Sequence, residues 1–94
     1  MILGACKIRF RINGVRSLKE KRKTLKSLKD RVSRMNVSIA EVDDQDKWQA
    51  ATLGIALVSN DTAHVNSILD RVFLFLVEYP GVELIDKKTE IIHI

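Results

Sequence analysis

Residues 2–32 read ILGACKIRFRINGVRSLKEKRKTLKSLKDRV, and two different periods meet inside them. Up to Ile12 the chain alternates. Ile2, Gly4, Cys6, Ile8, Phe10 and Ile12 fall on one side, with Leu3, Ala5, Lys7, Arg9 and Arg11 on the other, the pattern of a half-buried strand. Asn13-Gly14 ends the alternation, and Ser17 followed three residues later by Glu20 has the form of a capping box. Beyond it Leu18, Leu25, Leu28, Val32 and Met35 gather within about 100° of a helical wheel, so the spacing predicts a helix from about Leu18 to Arg34 with one core-facing stripe.

Working outward, Val37 to Asp43 (VSIAEVD) reads as a second strand at a sheet edge. Ala50 to Ser59 (AATLGIALVS), apolar on both faces, reads as a central strand. Ser59-Asn60-Asp61 is a cluster of capping residues. After it Val65, Ile68, Leu69, Val72 and Leu76 recur at helical spacing until Tyr79-Pro80-Gly81 stops the helix. Val82 to Ile94 is a last extended segment. The order β-α-β-β-α-β predicts a single α+β domain over residues 1–94, a ferredoxin-like sandwich with two helices on one face of a four-stranded antiparallel sheet. The other face stays open and carries Lys7, Arg9 and Arg11.

The composition fits one ordinary globular domain: 94 residues, 46% hydrophobic and 30% charged, with only four Gly and one Pro. The lone cysteine, Cys6, lies in the apolar first strand and reads as a small buried hydrophobe. No stretch is long and apolar enough to span a membrane, and the start of the chain lacks the pattern of a signal peptide, so a cytoplasmic protein is expected.

Charge is distributed unevenly. Nine of the sixteen basic residues lie between Arg16 and Arg34, a segment of net charge +7 in a chain of net charge +4, which leaves the remainder at −3. On the wheel Lys19, Arg22, Lys23, Lys26 and Arg34 share the solvent arc, with Asp30 the one acid among them. Like charges three and four residues apart repel, so a helix selected only for solubility would more often alternate sign. The pattern points to an anionic partner, with an RNA phosphate backbone set against a merely solvated face. Lys21 differs, because it falls within the apolar stripe. It either snorkels past the sheet edge or pairs with a carboxylate such as Glu41 or Asp43.

Three stretches, SLKEKR at the start of the first helix, VDDQDKWQ after the second strand and the VSND turn, make the chain resemble the YlxP-like family of small bacterial proteins. That resemblance implies a ferredoxin-like fold and a cytoplasmic bacterial protein, often encoded beside translation-initiation and ribosome-maturation factors. It implies no established activity.

Other constellations point to no reaction. Asn13-Gly14-Val15-Arg16 weakly resembles the phosphate loop of acylphosphatases, without the full glycine-rich pattern, and reads as a Gly-containing turn. Glu41, Asp43, Asp44 and Asp46 fail the calcium-loop template and read as a polar hairpin making local turn hydrogen bonds. His64 and His93 are unpaired in sequence. No catalytic set, metal site or cofactor loop is expected. Trp48 is expected to cover the end of the core, with stacking on a base as the alternative. In the second helix Phe73, Leu74 and Val77 approach solvent, so a homodimer through that surface is the second partner expected. The sequence reading is thus a non-enzymatic module binding ribosomal RNA or a ribosome-assembly particle through Lys19, Arg22, Lys23, Lys26 and Arg34. Lys7, Arg9 and Arg11 would form a second patch. A protein–protein interaction module is the rival.

Overall fold

A computed structural model describes all 94 residues. The elements are β1 (Ile2–Ile12), α1 (Leu18–Ser33), β2 (Ser38–Asp43), β3 (Ala50–Ser59), α2 (Thr62–Glu78) and β4 (Val82–His93). The four strands form one sheet in the order β2-β3-β1-β4, every neighbouring pair antiparallel. This is the ferredoxin-like α+β arrangement expected from the order of elements. The central position of β3 and the edge position of β2 also agree with their hydrophobic patterns.

Local chemistry sets the boundaries. The Ser17 hydroxyl accepts from the Glu20 backbone N–H at 3.2 Å, and the Glu20 carboxylate accepts from the Arg16 N–H at 2.5 Å, so the capping box closes one residue further out than its simplest form. Asp61 caps α2 by accepting from the Ala63 N–H at 3.0 Å. At the far end Gly81 takes φ +86, and its carbonyl accepts from the Asn13 N–H at 2.7 Å, tying the start of β4 to the end of β1.

The core lies between the helices and one face of the sheet. Cys6, Ile8, Phe10 and Ile12 of β1, Ala51, Leu53, Ile55 and Leu57 of β3, Leu25, Leu28 and Val32 of α1 and the stripe of α2 are all buried, while Leu18 and Met35 at the two ends of the α1 stripe are half-buried. At Gly4 the α2 helix comes so close that a β-carbon would enter the Val65 Cγ1 and lie 3.2 Å from Leu69 Cδ1. That contact seats α2 on β1.

Two irregularities shape one end of the sheet. The β1–β4 register slips between Arg9 and Phe10, which makes Ile85 an extra residue in β4. The β2–β3 register slips between Glu41 and Asp43, which makes Val42 extra in β2. Arg9 and Thr52 are partners across β1 and β3, so both bulges lie at the same level.

Candidate nucleic-acid interface

The outer face of α1 is built from side chains that have nothing within the protein to pair with. Lys19, Arg22, Lys23, Lys26 and Arg34 are all exposed. The molecule has three ion pairs, Arg9–Asp44, Lys21–Glu41 and Lys47–Asp44, and none involves these five cations. Their mutual repulsion, about 0.2–0.5 kcal/mol for each neighbouring pair, is relieved by no ion pair, and Asp30, four residues from both Lys26 and Arg34, is the one acid on that arc. Arg34 is the C-cap residue, where a positive charge complements the helix dipole.

The inner face of the same helix is fixed by Lys21, which is 1% exposed. Its ammonium lies 2.9 Å from Glu41 Oε2 and donates to the carbonyls of Asp44, at 2.6 Å, and Lys47. The two carbonyls accept hydrogen bonds and the carboxylate supplies the opposite charge, although Glu41 Oε2 itself has no hydrogen-bond partner; together they make a buried ammonium tolerable. Of the two readings that the sequence left open, the ion pair with Glu41 is the one that forms. Nothing in the local pattern marks the two carbonyls, which bind the first turn of α1 to the β2–β3 loop.

Asp44 fixes that loop from the other side. It is 6% exposed and takes φ +62, a left-handed conformation uncommon outside glycine. Its Oδ2 accepts from the Thr52 hydroxyl at 2.6 Å and from Arg9 Nε at 3.0 Å, while Oδ1 lies 3.2 Å from the Lys47 ammonium. The Thr52 hydroxyl, aided by Lys47 and Arg9 and opposed by burial, lowers its pKa from 3.8 to about 2. The expectation of local turn hydrogen bonds holds for Asp43, whose Oδ1 accepts from the Asp44 N–H at 2.8 Å. It fails for Asp44, whose side-chain partners include Arg9 and Thr52 on neighbouring strands.

The open sheet face carries Lys7 and Arg11, both exposed and free of ion pairs, as expected. Arg9 stands between them, but its Nε is committed to Asp44, so its charge is less available than that of its neighbours. Trp48 departs from its expected place. It lies outside the core cluster, 40% exposed, at the end of the open face. The reason is the anchored loop, whose preceding residues are held by Lys21 and Asp44.

On α2, Leu74 is 53% exposed, while Phe73 and Val77 are half-buried. The Phe73 ring is partly covered by Lys87, whose ammonium stands 4.0 Å from the ring centre. No helix is long and apolar enough to cross a membrane.

Comparison with known proteins adds the following. A family model described as "Protein of unknown function (DUF503)" matches residues 3–89. "Uncharacterized protein YlxP" of Bacillus subtilis (strain 168) is 43% identical over 75 residues, covering 79% of this chain and 82% of that protein. Among solved structures, the "De novo designed protein Ferredog-Diesel" matches with a TM-score of 0.49 at 18% identity, covering 94% of this chain and 83% of that one.

Proposed function

The chain belongs to the DUF503, YlxP-like family, and from that premise we propose that it is a non-enzymatic binding module of the cytoplasm whose α1 engages the phosphate backbone of ribosomal RNA or a ribosome-assembly particle. The observation that carries this reading is the row of five exposed cations on α1 with no carboxylate in range, on a body whose remaining charge is negative. A face of one sign costs stability in isolation and is repaid when its cations displace the counterions condensed on a phosphate backbone. Lys7 and Arg11 extend the positive surface to the open sheet face.

Five phosphate contacts imply that the logarithm of the affinity falls with the logarithm of salt concentration at a slope of about −3.5 for single strands and about −4.5 for a duplex. Co-sedimentation with ribosomal particles at low salt tests the reading. Lys23→Glu with Lys26→Glu is expected to abolish it, and retention of binding by that double variant refutes it. A second reading, a homodimer or protein partner on α2, is supported by the exposure of Leu74 beside Phe73 and Val77. Salt separates the two, since apolar association does not weaken as salt rises.

A further inference from the structure

At the far end of the open sheet face the anchored β2–β3 loop presents its tryptophan beside two arginines. A cleft of about 480 Å³ lies there, and its lining includes Trp48, Ile85, Arg9, Arg11, Lys47 and one acid, Asp46. A second cleft of about 380 Å³ shares Arg11, Trp48 and Gln49, so the indole and the guanidinium stand on the border between two hollows. We infer that this end of the sheet holds one unpaired nucleotide of an RNA strand, its base stacked on Trp48 against Ile85 and its phosphate met by Arg11. The inference rests on the RNA-binding reading of α1 and adds to it a contact with a base.

Three features support that ligand. Trp48 is the only tryptophan, and it is left 40% exposed while the core is completed without it. Arg11 is exposed and pairs with no carboxylate, so its charge is available to a phosphate. The platform is also held rigidly. Lys21 donates to the Lys47 carbonyl, Lys47 and Arg9 bind the Asp44 carboxylate, and the Gln49 carbonyl accepts from the Ile12 N–H at 2.9 Å. The left-handed backbone of Asp44 is part of this arrangement. Buried polar groups and an unusual backbone conformation that together fix an exposed aromatic are what a preorganised contact requires. The bulge at Ile85 turns an apolar side chain, 45% exposed, toward the same hollow. Stacking tolerates any base, so the site would extend binding to single-stranded segments without reading their sequence.

The lone tryptophan supplies its own reporter. The intact protein is titrated with a single-stranded RNA of about eight nucleotides and with an abasic ribose-phosphate strand of equal length. Binding is followed by anisotropy of a label on the strand, and Trp48 emission is read in parallel. RNA is expected to quench Trp48 saturably and the abasic strand to leave it unchanged. Trp48→Ala is expected to weaken RNA binding by about ten-fold or more while barely altering binding of the abasic strand. Trp48→Phe keeps an aromatic face and is expected to retain most of the affinity, which separates stacking from a general loss of fold. Lys23→Glu with Lys26→Glu should weaken both strands. RNA that binds with unchanged emission, together with wild-type affinity in Trp48→Ala, overturns the stacking site and leaves the α1 reading standing. Failure of both strands to bind at low salt overturns the stacking site, and co-sedimentation with ribosomal particles then decides the α1 reading by itself.

Discussion

Acidification from pH 6 toward pH 1.5 protonates Asp44, and the wild-type protein is expected to lose stability there in a way that Asp44→Asn does not. The carboxyl has its pKa lowered from 3.8 to about 2 in the fold, chiefly by the Thr52 hydroxyl. A depressed folded-state pKa means that the ionised form is favoured by folding. The stabilisation is therefore complete above about pH 4 and disappears as pH falls through about 2. At about 1.36 kcal/mol for each pKa unit, the difference corresponds to roughly 2.5 kcal/mol. Arg9 and Lys47 reach solvent, with side chains 43% and 58% exposed, so screening reduces this to about 1–2 kcal/mol. With a urea slope of about 1 kcal/mol per molar, the unfolding midpoint of the wild type should fall about 1–2 M further than that of Asp44→Asn over the window. Every other carboxyl titrates in both proteins, so the difference isolates Asp44. Thr52→Val removes the largest stabilising contact and should move the window to higher pH. Parallel loss of stability in wild type and Asp44→Asn between pH 4 and pH 2 would refute this account.

Lys21→Met is expected to destabilise by about 3 kcal/mol, because it leaves Glu41 and two loop carbonyls without their donor, and the melting temperature should drop by about 12 °C or more. The double variant Lys21→Met with Glu41→Leu should recover only the part due to the unpaired carboxylate, because the two carbonyls still lack a donor, whereas a single variant within about 1 kcal/mol of wild type would show the ammonium to be dispensable. Gly4→Ala is expected to cost about 1–3 kcal/mol by driving a β-carbon into Val65, with partial rescue when Val65→Ala is added. Equal thermal stability of Gly4→Ala and wild type would mean that α2 shifts freely over β1.

The fold was legible wherever a short-range period carried it. Alternation marked β1 as far as Ile12, Ser17 and Glu20 marked the start of α1, and Tyr79-Pro80-Gly81 marked the end of α2. The outer face of α1 was equally legible, because five cations at helical spacing must share a side. The β2–β3 loop was not. Its position depends on Lys21, more than twenty residues earlier, donating to its carbonyls, and on Asp44 reaching Arg9 and Thr52 across two strands. Local pattern carries no such information, so Trp48 was expected over the core. The bulges at Val42 and Ile85 were hidden for a related reason, since an extra residue declares itself only through the strand it faces. The contact of Lys21 was legible only as one of two alternatives, because a cation within an apolar stripe either finds a partner or snorkels to solvent.

The β4 strand has a neighbour on one side only, and twelve residues of its backbone border open solvent. Such an edge invites another strand to extend the sheet. Lys87 and Lys88 sit at its middle, both exposed, where two approaching copies would bring ammonium groups together. That guard is electrostatic, and salt weakens it. The high-salt conditions that test the proposed phosphate contact of α1 are thus also those in which β4 edges come closest to joining, so any loss of bound RNA and a gain of self-association would arrive in the same titration. Dilute protein, with light scattering recorded beside the binding signal, keeps the two apart.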